Sequence, residues 1–316
     1  MKRLFIICLV FLIVLSPVGS AAQEPVAVYD TIIVNGFVID GTGSGGFKAD
    51  IGIKDGKISA IGDLKEAKYQ DLIDAKNNIV VPGFIDIHTH TDSGIQKIPT
   101  ADNYILQGVT SVIGGNCGGS PEHIGDFLKS IGDKGVSVNF GTLVGHGTIR
   151  EAAMEDPTMP LNVKDLSIMK DLTEKAMKQG AFGISTGLEY VPGRFADMNE
   201  LVELAKIVGR NGGFYASHIR DEQVGVLNAI AEAIEVGAKS GAPVQISHVK
   251  ACGAEVWGFG QNISSMINLA RALGVDVTAD QYPYTASSTG FSQAFPSWAL
   301  EGGIEKLKER LADPSL

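Results

Sequence analysis

Basic residues are in short supply in this chain: 26 lysines and arginines stand against 36 aspartates and glutamates, a net charge of −10. Nucleic acid is excluded as a partner on that ground, because phosphate contacts need clustered Lys and Arg. Cysteine is scarcer still, with three in 316 residues. Cys8 falls in the first 22, so Cys117 and Cys252 can form one disulfide at most. The apolar run Leu4 to Leu15 is shorter than the roughly 20 residues that span a bilayer. Signs of repeats or of disorder are missing too. With 44% hydrophobic and 20% charged residues, the composition is that of a globular protein large enough to bury a full core.

Lys2 and Arg3 precede the Leu4 to Leu15 run, and the small residues Gly19-Ser-Ala-Ala22 follow it. Residues 1–22 therefore read as a cleavable export signal, with no cysteine in the small-residue stretch to take a lipid. Losing Lys2 and Arg3 with the leader moves the net charge to −12. The mature protein is expected to be exported, periplasmic or secreted, with no stable membrane span.

Two rhythms follow. Residues 23–80 alternate short apolar runs with turn signals, Asn35-Gly36 and Asp55-Gly56 being strong hairpin markers, and predict a small antiparallel β unit. From 81 to 316 the rhythm becomes strand, helix, strand. Predicted strands are 80–86, 110–114, 136–144, 181–185, 213–217, 243–247 and 275–280. Predicted helices lie near 165–179, 198–210, 222–239, 262–273 and 304–311. In the helix at 198–210, Asp197 is the cap, Glu200 would complete a capping box, and Leu201, Leu204, Ala205 and Val208 form one buried stripe.

Most strands are continuous apolar runs, which argues for a parallel sheet covered by helices. Five of the seven runs end in, or lead into, a His or Cys: His88-Thr-His90, Cys117, His146, His218 and His248. Chemistry collected at strand ends favours an eight-stranded α/β barrel, of which about seven strands are present, over a doubly wound sheet. Convergent imidazoles and a thiolate suit a zinc-type ion and hydrolysis. A disulfide between Cys117 and Cys252 is the competing reading for Cys117. His146 reads as packing beneath the site and His123 as surface. Arg220 and Glu222 could pair with each other or face solvent.

With these motifs located, the chain resembles the amidohydrolase superfamily, and within it the N-acyl-D-amino-acid deacylases (D-aminoacylases). The resemblance is carried by Pro82-Gly-Phe-Ile-Asp-Ile-His-Thr-His90, Gly115-Asn-Cys-Gly118, Gly145-His-Gly-Thr-Ile-Arg150, Gly183-Ile-Ser-Thr-Gly-Leu-Glu-Tyr190, Tyr215-Ala-Ser-His-Ile-Arg-Asp-Glu222, Ile246-Ser-His-Val-Lys250 and Asp280-Gln-Tyr-Pro-Tyr284. It implies a (β/α)8 TIM-like barrel with a small N-terminal β-sandwich portion, and zinc-dependent hydrolysis of N-acyl-D-amino acids to a carboxylate and a D-amino acid. A tight zinc would take Cys117, His218 and His248. His88 and His90 would build a second, weaker position that shares Cys117. Lys250 and Tyr282 would meet the substrate's carboxylate or carbonyl, with Tyr284 as the substitute. Glu189 is read as bridging metals or lining the substrate pocket.

The family's catalytic aspartate comes at the end of an eighth strand, beyond residue 316. The sequence is accordingly expected to be a fragment, or a truncated product inactive alone. Two alternatives stand beside the deacylase. A cyclic amidohydrolase such as a dihydroorotase or hydantoinase often carries a bridging lysine on strand four, where Ser185-Thr-Gly-Leu188 offers none. The other is a metal-binding fragment that is no enzyme.

Overall fold

The computed structural model describes residues 28–314, so the expected export signal lies outside the described residues. The chain divides into two compact units, residues 1–82 and 83–316. In the first, β1 (Val28–Val38), β2 (Phe47–Lys54) and β3 (Lys57–Gly62) run antiparallel. Asp55 and Gly56 both take positive φ in the β2–β3 hairpin, the backbone that a tight two-residue turn requires. The unit is not purely antiparallel, as the turn signals suggested: β4 (Lys68–Asp74) and β5 (Ile79–Val80) pair parallel to β1. Asn35-Gly36 makes no hairpin either. Asn35, at φ 57, sits where the β1–β2 register shifts, so its left-handed backbone serves a bulge inside one long strand. Among the described residues this unit holds one mixed sheet, the small N-terminal β portion.

The second unit begins with β6 (Phe84–Asp86), α1 (Asp102–Ile105), β7 (Val109–Gly114), α2 (Ile124–Lys134), β8 (Asn139–Thr142), β9 (Val144–Gly145), α3 (His146–Ala153) and α4 (Val163–Lys178). It continues with β10 (Gly183–Gly187), α5 (Met198–Arg210), β11 (Phe214–His218), α6 (Val226–Ser240), β12 (Val244–Ile246), α7 (Gly260–Ala272) and β13 (Val277–Ala279). The short α8 (Ser297–Leu300) and α9 (Gly303–Ala312) follow. Every pairing in this unit is parallel, in the order β6-β7-β8 and β9-β10-β11-β12-β13. Only Leu143 separates β8 from β9, so the strands occupy seven consecutive positions of a barrel wall.

Sequence and packing agree most closely in α5. Asp197 accepts from the Glu200 backbone N–H at 2.8 Å, and Leu201, Leu204, Ala205 and Val208 are buried against the core that Ile184, Ile230 and Ile246 share. Only half of the capping box forms. The Glu200 side chain turns inward instead, meeting His146 Nε2 at 2.7 Å and pairing with Arg150. All three residues are buried, and Arg150 also donates to the carbonyls of Pro157 and Met159. Burial alone would raise the Glu200 pKa; His146 and Arg150 outweigh it and hold the carboxyl below the usual range. This network ties α3 to α5 beneath the strand ends. The sequence reading of His146 as a packed, hydrogen-bonded residue describes what the structure shows.

Candidate metal centre

Five soft donors converge just past the C-terminal strand ends. His88 and His90 follow β6 in an irregular segment, not in the strand itself, so it is not strand alternation that aims them. That segment is pinned to the end of β7, where Thr89 donates both its N–H and its hydroxyl to the Ile113 carbonyl. Cys117 follows β7 at φ 54, in a loop that several contacts hold. The Asp92 carboxylate accepts from Gly115 N–H at 2.9 Å, and Asn116 Nδ2 donates to Ile113 O at 3.0 Å. Gly115 has φ 71, and a Cβ there would lie 2.1 Å from the Leu143 carbonyl; only glycine permits that approach. His218 ends β11. His248 comes two residues after β12 with φ 34, its N–H held by Asp280 Oδ1 at 2.7 Å. Two of the five donors thus sit in a backbone conformation that non-glycine residues rarely adopt, a pattern typical of functional sites.

The donors form two overlapping groups, His88 with His90 and Cys117, and Cys117 with His218 and His248, each with ligand atoms within 4.8 Å of one another. Cys117 Sγ lies 3.4 Å from His88 Nε2 and 3.5 Å from His248 Nε2. His218 offers Nδ1, a buried atom without a hydrogen-bond partner. The donor set fits a zinc-like ion: one cysteine sulfur and four imidazoles, with an orphaned buried nitrogen that an ion would satisfy. Burial, with the Glu222 and Asp280 charges second, pushes the Cys117 thiol up to about 12. Burial first, then its histidine neighbours, lowers the pKa of His90.

Three carboxylates stand behind three of these imidazoles. Glu189 Oε2 is 2.9 Å from His218 Nε2, Glu222 Oε1 is 3.0 Å from His248 Nδ1, and Asp280 Oδ1 is 3.4 Å from His88 Nδ1. Such outer carboxylates fix the tautomer and ring orientation of metal-binding histidines. Glu189, expected to bridge metals or line the pocket, makes its closest recorded contact with His218 Nε2 and lines the cleft. Sequence reading missed the placement of Asp280 and Glu222. Asp280 ends the seventh apolar run, and a carboxyl at a barrel strand end is a signal that could have found it.

Some expectations fail. Arg220 and Glu222 do not pair: Arg220 binds Glu232 at 2.8 Å, and Glu222 binds Lys250. Arg220 is instead a strut, donating also to the carbonyls of Arg194 and Ala196. Cys117 and Cys252 are both free thiols. Lys250 has its negative partner inside the protein, in Glu222, and sits 5.4 Å over the Tyr282 ring. The Tyr282 hydroxyl is buried with no hydrogen-bond partner, whereas Tyr284 is 74% exposed. His123 is exposed at the start of α2. Lys250, Tyr282, Glu189 and the five soft donors all line one open cleft of about 1610 Å³. Tyr190, to which the sequence reading gave no role, also lines it, with its ring 4.5 Å from that of His218.

A family model described as amidohydrolase family matches residues 71–124, and one described as the urease α-subunit N-terminal domain matches 16–87. The D-aminoacylase of Alcaligenes xylosoxydans xylosoxydans is 35% identical over 288 residues, which are 84% of this chain and 59% of that protein. The structure of N-acyl-D-glutamate deacylase from Bordetella bronchiseptica, complexed with zinc and a phosphonate inhibitor, matches with 34% identity and a TM-score of 0.79. The match covers 82% of this chain and 59% of that one. The L-hydantoinase of Arthrobacter aurescens shares the fold alone, at 19% identity and a TM-score of 0.60. The chain spans about 59% of the length of the deacylases it matches. From the seven parallel strand positions, the donors at their C-terminal ends and these likenesses, the chain has an amidohydrolase fold of TIM-barrel type and is homologous to the N-acyl-D-amino-acid deacylases.

Proposed function

We propose that this chain carries the metal-binding half of an exported zinc-dependent deacylase that hydrolyses the amide bond of N-acyl-D-amino acids. One observation carries the reading: Cys117, His218 and His248, from three different strand ends, bring a thiol and two imidazole nitrogens within 4.8 Å of one another. Cys117, His218 and His248 would hold one zinc tightly; His88 and His90, with Cys117 shared, would hold a second more weakly. When bound, the ion supplies Lewis acidity to polarise a carbonyl and to acidify water.

The chain's own residues would then orient the substrate. The unpartnered Tyr282 hydroxyl is a donor free for the substrate's carbonyl or for the oxyanion that develops from it. Lys250 supplies positive charge beside the cleft for the substrate's carboxylate. None of the residues assigned here is the proton-transfer group, for which the resemblance points to an aspartate after strand eight. The leader-like start supports export, and the net charge of −10 offers nothing for nucleic acid. No described helix is long and apolar enough to cross a membrane.

The test measures zinc content and hydrolysis of N-acetyl-D-amino acids, N-acetyl-L-amino acids and hydantoins, on this chain and on any longer reading frame. Zinc in both, with turnover of the linear D substrates in the longer form, is the expected result. Zinc in neither, or turnover of cyclic amides alone, would overturn the reading.

A further inference from the structure

His248 Nδ1 has two neighbours that require opposite tautomers. Glu222 Oε1, at 3.0 Å, can only accept a proton from it. Lys250 Nζ, also at 3.0 Å, can only donate one to it. The far nitrogen, Nε2, faces Cys117 Sγ at 3.5 Å. An imidazole that gives its Nε2 lone pair to an ion must carry its proton on Nδ1. Such a histidine is compatible with Glu222 and incompatible with a Lys250 ammonium donating to the same atom.

We propose that Glu222 is a positioning residue that decides this contest in favour of metal binding, and does so in two ways at once. Its Oε1 accepts the Nδ1 proton of His248. The same oxygen also holds the Lys250 ammonium in an ion pair, so that one of its protons goes to the carboxylate and not to Nδ1. The backbone permits the division of labour: Lys250 has a second acceptor in the His248 carbonyl at 2.9 Å, so two of its three protons have acceptors other than Nδ1. Glu222 is itself 7% exposed, and its loop is tied in place by the Cys252 N–H donating to the Glu222 carbonyl at 2.7 Å. Glu189 serves His218 more simply, because no cation competes for the nitrogen it contacts.

The inference rests on the metal reading above and makes a prediction that breaking an ion pair would not: its two partners have opposite effects. Glu222→Gln loses the acceptor charge and releases Lys250 onto Nδ1. Lys250→Met removes the competitor and leaves Glu222 to His248 alone. Zinc affinity of the full chain, measured by competition with a chromophoric chelator, should fall about ten- to a hundredfold in E222Q. It should hold or tighten in K250M, and the double variant E222Q/K250M should recover part of the loss. Wild-type affinity in E222Q overturns the inference, as does a double variant no better than E222Q. Should E222Q fail to fold, K250M decides alone: retained or tighter zinc supports the inference, and zinc weakened tenfold or more sinks it. A wild-type chain that binds no zinc would overturn the metal reading and this inference with it, whereas the other failures leave the metal reading standing.

Discussion

The middle and the ends of the barrel wall differ sharply. In the middle, β10 and β12 are buried at every residue, and α4, α5 and α6 cover that part of the wall with the core that contains Ile184, Leu204, Ile230 and Ile246. At the ends, β6 and β13 each have a strand partner on one side only among the described residues. There Phe84 and Ile85 are 58% and 64% exposed. Apolar β formers occur in both places, Ile184, Val244 and Ile246 in the middle and Phe84, Ile85 and Val277 at the ends. What differs is the number of neighbours: a parallel strand is buried only when strands lie on both sides and helices cover its face. The same contrast runs through the site. His218 and His248 hang from the covered strands, His88 and His90 from the open one, and His90 is exposed where His218 is buried.

The largest effect is expected at the metal site. Cys117→Ser removes the donor common to both groups, and zinc bound per chain, read by elemental analysis, should drop to near zero. The double variant His88→Ala/His90→Ala should keep one tight zinc, while His218→Ala should lose it; equal losses would erase the distinction between covered and open positions.

Next comes the buried charge network under the covered middle. Glu200→Gln leaves Arg150 buried without its anion, a loss on the order of 3–5 kcal/mol by urea denaturation at neutral pH. Its pH dependence has a definite sign. A glutamate whose folded pKa is depressed binds fewer protons folded than unfolded, so its stabilisation is full above the ordinary glutamate range. It is lost as pH falls through the folded value. The stability gap between wild type and E200Q should therefore narrow in acid, and a gap that widens would contradict the assignment.

Ile246→Ala, in the covered core, should cost about 2–5 kcal/mol. Ile85→Ala, on the open strand, should stay within about 0.5 kcal/mol. The ratio of the two, from denaturant midpoints, measures the asymmetry directly; similar costs would mean that β6 is buried in solution by something else.

Much of this was legible in local patterns. The limits of α5 coincide with those read from its cap and stripe, because the Asp197 cap, an i, i+3, i+4 stripe and the closing pair Gly212-Gly213 are all encoded within 17 residues. The strand runs were legible for the same reason. The Asn35-Gly36 signal misled because an αL residue closes a hairpin or makes a bulge equally well, and which one depends on a partner strand far along the chain. Glu200 misled likewise: a capping box and a buried ion pair use the same carboxylate, and His146 and Arg150, about 50 residues away, took it.

By itself the sequence determined the strand and helix alternation, the five soft donors and the chemistry they suit, since residue type and local spacing are one-dimensional properties. Only the tertiary structure decided which carboxylate stands behind which histidine. Glu189, Glu222 and Asp280 reach their imidazoles across 29, 26 and 192 residues of chain, and no periodicity reports such distances. It also decided that His248 and Lys250 share one oxygen of Glu222 at the edge of the site, because ion pairing follows proximity in space and not order along the chain.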